Sequence, residues 1–356
     1  MRDHVGLEPL ESLTAATRFR RPLREPVESF DIPHPALPAA LDGLTILHLS
    51  DLHIRRFHPA RPRFRTLLAA IDDLEPDIVA FTGDLMDEPG NEHATLQTLA
   101  AIESVLHPRL GAFGTFGNHD SPDLQRLAAR DLPTIHWFTP ETPPVFETTF
   151  NATPMRILGL SWPEDPLSAM LQMLPKGGGA EALRGGGGYT TPSSARLTAD
   201  KPTNPSTQRS QSGHKGLKEQ AQVSAQTSLT GSLSHAITPP PHPFPFTLSH
   251  YPATIIPAAE LGLPLLLSGH THAGQIRVSS RLAPHTSSDI PPHLATGVLR
   301  LRTTLMCISR GLGEGVIENL RLNCPWQAPL YTLRRAPLPD VPRSGSEQTV
   351  TQVMAW

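Results

Sequence analysis

Short apolar runs and helically spaced apolar residues alternate along the chain from residue 44 onward. Largely apolar runs at 44–49, 77–81 and 111–116 predict β-strands. Apolar residues three or four positions apart predict helices at 61–74 and 91–106, and Ser121 followed by Pro122 predicts a helix over 121–130. Strands that alternate with helices in this way are typical of an α/β domain.

Further β-like runs follow in the second half of the chain. They lie at 145–150, 155–160, 246–249, 264–267, 275–278, 305–309 and 330–333. Their number, together with the α/β alternation before them, predicts two β-sheets packed on each other with helices outside.

Segments of low apolar content interrupt and flank this pattern. Residues 175–245 are rich in Gly, Ser and Thr. So little apolar surface cannot offset an ordering entropy of ~1–2 kcal/mol per residue. We therefore predict a disordered insertion inside a single domain over 27–335, because candidate site residues lie on both sides of it. Residues 1–26 are expected to be a flexible arm, and 336–356 a flexible C-terminal tail.

The composition narrows the class of function. The net charge of −3 creates no general field that favours nucleic acid, and no apolar run reaches the ~18 residues of a membrane-spanning helix. Cys307 and Cys324 are the 2 cysteines and cannot form a disulfide framework. Two free thiols in a reducing cytoplasm are expected, although one bridge between them stays open. The 17 histidines raise the question of metal or acid–base chemistry.

A basic cluster in the N-terminal arm leaves the location partly open. It contains Arg18, Arg20, Arg21 and Arg24. The cluster is either a solvated tail or a contact for anionic lipid headgroups. A cytoplasmic protein is therefore expected, with peripheral contact at the inner face of the membrane as the alternative.

Five polar clusters each follow a predicted strand. They are Asp51-Leu52-His53, Gly83-Asp84-Leu85-Met86-Asp87, Gly117-Asn118-His119-Asp120, Ser249-His250 and Gly269-His270-Thr271-His272. Open α/β sheets commonly bind ligands at the carboxyl ends of their strands. Carboxylates, imidazoles and one amide without a cysteine suit ions such as Mn, Fe, Co or Zn rather than a thiolate zinc site.

The spacing within the clusters suggests how the ions would be held. In an extended strand end, Asp51 and His53 would point the same way and reach one ion. A tight turn at Gly83 would let the Asp84 carboxylate bridge two cations through its two oxygens. His270 and His272 could then face two neighbouring ions, and Asn118 and His250 would complete the second site.

Each cluster also has a structural interpretation. Gly-Asp is a common turn, and Asp120 or Ser121 could cap the following helix. A single histidine is more often a satisfied core residue than a ligand. His48 and the other histidines outside the clusters are therefore interpreted as structural. Because all five clusters occur in this order and each follows a predicted strand, coincidence is a poor explanation for them.

The order DLH, GDLMD, GNHD, SH and GHTH resembles the calcineurin-like metallophosphoesterase superfamily. ILHLSDLH, GHTHAGQIR and ISRGLG are similar to the bacterial branch of membrane-associated phosphoesterases and UDP-diacylglucosamine pyrophosphatases. The resemblance covers about 27–174 and 244–335. It implies a four-layer αββα sandwich of two mixed sheets. Ala273, which replaces a usual glycine, and the insertion at 175–245 depart from the pattern, and the insertion puts substrate access in doubt.

The resemblance also implies roles for individual residues. One metal ion would be held by Asp51, His53, Asp84 and His272, and a second by Asp84, Asn118, His250 and His270. His119 would donate to the phosphoryl group or the leaving oxygen. Asp87 would orient His119.

The implied activity is hydrolysis of a phosphomonoester, phosphodiester or pyrophosphate by a hydroxide that bridges two divalent ions. The substrate would be a small or lipid-linked phosphoester. One alternative is a nucleotide or nucleic-acid phosphodiesterase, which the charge balance disfavours. Another is a non-catalytic scaffold on the same fold, which would predict eroded ligand positions.

Overall fold

The computed structural model describes residues 26–57, 59, 61–161, 243–279, 283–284, 286, 288, 290–315, 320–342 and 349–355. Over this part of the chain, strands β1–β13 occupy Val27–Pro33, Thr45–Leu49, Ile78–Thr82, Gly111–Thr115, Ile135–Trp137, Val145–Phe150, Thr153–Leu160, Phe244–Ser249, Leu265–Ser268, Gly297–Leu301, Thr304–Ile308, Ala328–Arg334 and Thr351–Met354. Helices α1–α4 occupy Pro62–Asp72, Glu92–Glu103, Pro122–Asp131 and Ile255–Glu260. The predicted arm, apart from its last residue, and the predicted insertion, apart from 243–245, lie outside the described residues.

The first sheet has six strands in the order β1-β12-β2-β3-β4-β5. Strands β2, β3, β4 and β5 run parallel, whereas β12 is antiparallel to β2. Parallel neighbours require a crossover, and α1, α2 and α3 lie between successive parallel strands in the sequence. The carboxyl ends of β2, β3 and β4 therefore meet at one edge.

The second sheet has seven strands in the order β13-β10-β11-β9-β8-β7-β6. Strands β7, β8, β9 and β11 are parallel, so the ends of β8 and β9 also share an edge. Strand β13 pairs antiparallel with β10, and this pairing differs from the flexible tail predicted over 336–356. The predicted strand at 275–278 is not formed; Ile276 makes one isolated bridge to Leu322.

Three hydrophobic clusters separate four layers. The first packs α1, α2 and α3 against one face of the first sheet, through residues such as Ile71, Leu99 and Leu124. The second fills the space between the two sheets. The third packs α4 against the outer face of the second sheet. The prediction of a four-layer αββα sandwich of two mixed sheets is confirmed.

The alternation along β3 shows how the strands serve two layers. Ile78 and Ala80 contribute to the cluster between the sheets, and Val79 and Phe81 contribute to the cluster under the helices. Successive side chains point to opposite faces of a strand, so a continuous apolar run is required where both faces are covered. This accounts for the success of the prediction at 77–81.

Candidate metal centre

Nine predicted site residues lie in five loops that follow parallel strands of the two sheets. Asp51 and His53 follow β2, Asp84 and Asp87 follow β3, Asn118 and His119 follow β4, His250 follows β8, and His270 and His272 follow β9. The two sheets thus direct these loops from both sides toward one region. Six of the side chains form two neighbouring groups there, and Asp87 and His119 form a third group with His53.

The first group consists of Asp51, His53 and His272, all buried. His53 Nε2 lies 2.9 Å from His272 Nε2, and His272 Nε2 lies 3.5 Å from Asp51 Oδ1. His53 Nδ1 lies 3.2 Å from Asp87 Oδ1. Because a carboxylate oxygen accepts, His53 Nδ1 donates there and Nε2 is left with its lone pair toward the group.

The second group consists of Asp84, His250 and His270. His250 Nε2 lies 3.0 Å from His270 Nδ1 and 3.1 Å from Asp84 Oδ2. His250 Nδ1 lies 2.8 Å from the Thr82 backbone oxygen. A carbonyl only accepts, so Nδ1 donates, and in the neutral imidazole the His250 Nε2 lone pair faces the group.

Asp84 connects the two groups through one oxygen atom. Its Oδ2 lies 3.1 Å from His250 Nε2 and 3.6 Å from His53 Nε2. The other oxygen, Oδ1, accepts from the His119 backbone N–H at 3.1 Å. The expectation that each oxygen of Asp84 would face one ion therefore differs from the structure, in which Oδ2 alone faces both groups.

The backbone is unusual at these positions. Asp51, His53, Asp84, His270 and His272 have φ of 52°, 43°, 49°, 73° and 49°. Positive φ is uncommon for residues with a Cβ and is concentrated at functional sites. Asp51 and His53 therefore converge through a left-handed loop rather than through the extended strand end that the sequence suggested.

Two glycines allow backbone to approach the carboxylates closely. A Cβ at Gly117 would lie 2.2 Å from Asp84 Oδ1, and one at Gly269 would lie 2.3 Å from Asp51 Oδ2. Real Cβ atoms do not come this near an oxygen, so any larger residue would displace the carboxylate. The glycines of GNHD and GHTH thus have a steric role that spacing alone did not identify.

His119 is partly buried beside the first group, with its ring centroid 4.8 Å from that of His53. Its Nδ1 lies 2.5 Å from the backbone oxygen of Asp87. The Asp87 carboxylate instead contacts His53 Nδ1 and accepts from Arg55 Nε at 2.7 Å. The expected orientation of His119 by the Asp87 side chain thus differs from the contact in the structure, which uses the Asp87 main chain.

Asn118 is exposed, whereas its neighbour Asp120 is buried. Asp120 Oδ1 accepts from the backbone N–H groups of Leu85 and Met86, and Oδ2 accepts from Gly117 N at 2.8 Å. Asp120 thus ties the loop after β3 to the loop after β4. The helix cap is Ser121, whose Oγ accepts from Leu124 N at 3.1 Å.

Burial and neighbouring charges act on the titratable groups of the site. Burial raises the pKa of Asp51, and the adjacent Asp84 carboxylate adds to this increase. Burial lowers the pKa of His272, and the nearby His53 and Arg321 lower it further. Burial also opposes the charged form of His250, but the Asp84 carboxylate outweighs it and raises the pKa of His250 to about 9. Burial likewise opposes the charged form of Asp84, but the nearby His250, His53 and His119 outweigh it and hold the pKa of Asp84 well below its usual range. Asp51 is therefore the carboxylate that lacks compensating positive charge.

These features fit divalent cations. When two ligand atoms each lie ~2.1 Å from one ion and occupy adjacent octahedral positions, they are about 3 Å from each other. The facing nitrogens of the two imidazole pairs are 2.9 and 3.0 Å apart, as that arrangement requires. A cation would also supply the positive charge that Asp51 needs in this buried position.

Two residues near His272 were not identified by sequence reasoning. Cys324 Sγ donates to the His272 backbone oxygen at 3.2 Å, and Arg321 Nη2 lies 3.4 Å from His272 Nδ1. Both sit after the ISRGLG stretch and far from any cluster in sequence, so no local signal marked them. The expectation of free thiols is confirmed, since Cys307 and Cys324 are free and buried.

Comparison with known proteins agrees with this geometry. The family model described as calcineurin-like phosphoesterase matches residues 44–274. The chain belongs to the calcineurin-like phosphoesterase family. The match begins just before β2 and ends just after the GHTH cluster, so it includes every residue of the first and second groups.

Three relatives from the family illustrate the range of similarity. The chain is 33% identical over 94 residues to the zebrafish (Danio rerio) transmembrane protein with metallophosphoesterase domain, covering 26% of this chain and 21% of that protein. It is 27% identical over 103 residues to metallophosphoesterase YkuE of Bacillus subtilis, covering 29% and 35%. It is 24% identical over 291 residues to UDP-2,3-diacylglucosamine pyrophosphatase LpxG of Chlamydia muridarum, covering 77% and 79%.

The matched region is thus about a fifth to a third of the length of the first two relatives. Over the described residues of this family member, no helix has the length and apolar character needed to cross a membrane.

Proposed function

We propose that the chain is a phosphoester hydrolase that uses two divalent metal ions. One ion would be held by Asp51, His53, Asp84 and His272. The other would be held by Asp84, Asn118, His250 and His270. Membership of the calcineurin-like phosphoesterase family supports the hydrolase class, and the two groups of side chains support the number of ions.

The observation that carries this proposal is the position of Asp84 Oδ2 between His250 and His53, at 3.1 and 3.6 Å. A single carboxylate oxygen directed at two sets of imidazoles suits a bridging ligand better than two separate sites. The ions would be Mn, Fe, Co or Zn. When bound, they would act as Lewis acids on a phosphoryl oxygen and make a water molecule nucleophilic near neutral pH.

His119 would act on the substrate rather than bind metal. Its Nδ1 must carry a proton, because the partner is the backbone carbonyl of Asp87, which only accepts. The other ring nitrogen, Nε2, would donate to a phosphoryl or leaving-group oxygen only when it also carries a proton, that is, in the imidazolium form. Asp87 would contribute through two separate atoms: its carbonyl orients His119, and its carboxylate orients His53.

A cavity of about 420 Å³ beside His53 supports a substrate with an additional anionic group and an apolar part. Arg55, Arg56 and Arg63 line the cavity, together with apolar and aromatic surface that includes Trp326. Arg55 pairs with Asp87, and Arg63 pairs with Glu314 and lies over the Trp326 ring. Arg56 is exposed, with no acidic partner in the part of the chain that the structure describes.

This combination favours a small or lipid-linked phosphoester or pyrophosphate over nucleic acid. The similarity to the LpxG pyrophosphatase of Chlamydia muridarum makes UDP-2,3-diacylglucosamine the first lipid-linked compound to test. Arg56→Gln should raise KM for a pyrophosphate substrate and leave KM for bis-p-nitrophenyl phosphate unchanged.

The experiment that tests the function is an assay of the Mn²⁺-reconstituted chain against bis-p-nitrophenyl phosphate, p-nitrophenyl phosphate and UDP-2,3-diacylglucosamine. Hydrolysis of at least one compound, lost on chelation and restored by Mn²⁺, is the expected result. A well-folded chain that binds Mn²⁺ and hydrolyses none of them would favour the non-catalytic scaffold.

We also propose a single catalytic domain over 27–335 in the cytoplasm, with peripheral contact at the inner membrane face. The cluster of arginines at positions 18, 20, 21 and 24 supports the contact. Co-sedimentation with anionic vesicles at low salt and release at high salt is expected. An equal soluble fraction with and without vesicles at low salt would contradict it.

A further inference from the structure

A buried chain of hydrogen bonds leads from the first sheet to one of the proposed metal ligands. Ser50 Oγ donates to Asp51 Oδ2 at 2.6 Å, and Thr82 Oγ1 donates to Ser50 Oγ at 2.7 Å. His48 Nε2 lies 2.7 Å from Thr82 Oγ1, and His48 Nδ1 lies 3.4 Å from the Tyr331 hydroxyl. All five residues are fully buried.

Counting donors and acceptors gives the chain one direction. The Thr82 hydroxyl proton is committed to Ser50, so Thr82 Oγ1 must accept from His48 Nε2–H. A neutral imidazole then offers Nδ1 as an acceptor for the Tyr331 hydroxyl. Burial lowers the pKa of His48 to about 3, which keeps the ring neutral. Every proton along the chain therefore points toward the Asp51 carboxylate.

The chain fixes one oxygen of Asp51 and leaves the other for the site. Oδ2 is held by Ser50, whereas Oδ1 accepts from His270 N at 2.8 Å and lies 3.5 Å from His272 Nε2. Thr82 contributes twice, because its backbone oxygen also holds His250 Nδ1 at 2.8 Å. Residues on adjacent strands β12, β2 and β3 thereby act on ligands of both groups, through side chains toward Asp51 and through the Thr82 main chain toward His250.

We propose that His48, Thr82 and Ser50 are positioning residues that orient the Asp51 carboxylate and thereby set the affinity of the first metal ion. Partners that orient metal ligands typically change affinity by ~10–100-fold when they are removed. The inference rests on the proposed role of Asp51 as a metal ligand. It gives a function to His48, which sequence reasoning had interpreted as structural.

The test compares two variants of one residue. Thr82→Val keeps the shape and the backbone carbonyl but removes the hydroxyl, whereas Thr82→Ser keeps the hydroxyl. Mn²⁺ titration of the metal-free chain by calorimetry is expected to show ~10–100-fold weaker binding for Thr82→Val. Thr82→Ser should bind within about threefold of the wild type.

Thr247→Val is the matched control. Thr247 is also a fully buried threonine in a central strand, and its hydroxyl has no hydrogen-bond partner in the described structure. Its substitution should leave Mn²⁺ affinity unchanged. Thermal unfolding of each metal-free variant identifies any general loss of stability that could mimic an effect on the site.

A double variant tests whether the bonds act in series. Ser50→Ala alone removes the last link, so adding Thr82→Val should change Mn²⁺ affinity by less than about threefold more. The inference is overturned if Thr82→Val binds Mn²⁺ like the wild type, if Thr82→Ser fails to restore affinity, or if the two losses simply multiply. Wild-type chain that binds no Mn²⁺ would overturn the proposed function and this inference together.

Discussion

Gly269→Ala tests the close packing around the proposed metal ligands with one added methyl group. Gly269 follows β9 and immediately precedes His270. A Cβ there would lie 2.1 Å from Ser50 Oγ and 2.3 Å from Asp51 Oδ2. These two oxygens share a 2.6 Å hydrogen bond and are fully buried. The methyl group therefore has no empty space to enter.

The size of the effect follows from these distances. The two oxygens must retreat by about 1 Å to reach ordinary contact with carbon, and overpacking of this kind costs ~1–3 kcal/mol of stability. Metal sites tolerate changes in ligand distance of only about 0.2 Å. We therefore expect Gly269→Ala to lower Mn²⁺ affinity ~100-fold or more, beyond the ~10–100-fold typical of an outer partner.

The assay is Mn²⁺ calorimetry of the metal-free chain combined with urea unfolding, with Gly262→Ala as the control. Gly262 has φ of 67°, so alanine is strained there by ~1 kcal/mol, but a Cβ would meet no atom within 4 Å. The control should lose stability and keep wild-type Mn²⁺ affinity. Wild-type affinity in Gly269→Ala would refute the packing that the structure assigns to Asp51.

Four further outcomes are expected. Asp84→Ala should lose both ions in metal analysis, because the residue belongs to both ligand sets; retention of two ions would contradict the bridge. His119→Gln should keep both ions and lose ~10²–10⁴-fold in turnover; near-normal turnover of bis-p-nitrophenyl phosphate would exclude its role. Asp87→Asn should weaken metal binding but barely change kcat at saturating Mn²⁺, because the backbone oxygen of Asp87 holds His119. A large fall in kcat would instead show that the Asp87 carboxylate orients His119. His48 stays neutral when folded, with a pKa near 3, so its contribution to stability is complete above pH 6.5 and declines below it by up to about 1.4 kcal/mol per pH unit. In urea unfolding, the free energy of unfolding should therefore fall less between pH 7 and pH 5.5 for His48→Leu than for the wild type. An equal fall in both chains would contradict this.

The parts of the fold that could be predicted are those whose structure follows from the hydrophobic pattern of the segment itself. Residues 78–81 of the strand predicted at 77–81 must cover both faces of a central strand, and all four are apolar for that reason. Strand β13 could not be predicted, because Thr351–Met354 is only partly buried and owes its structure to pairing with β10. The apolar residues at 275–278 were misleading because the chain turns there: Gln275 has φ of 53°.

The candidate site shows the same division. Residue types and their order indicated six side chains that the structure brings together in two groups, whereas Asn118 is exposed. Contacts made by the main chain were not visible, so the His119 partner was expected to be the Asp87 carboxylate and proved to be the carbonyl. Asp120 lies within a cluster and His48 lies close to one in sequence, yet their roles depend on segments that come together only in the folded chain.

The most direct test of two metal ions joined by Asp84 is electron paramagnetic resonance of the chain loaded with Mn²⁺, with metal content measured on the same sample. We predict two Mn²⁺ per chain and the spectrum of an exchange-coupled pair, which Asp84→Ala abolishes. One ion per chain, or two ions with the six-line spectrum of isolated Mn²⁺, would contradict the shared centre.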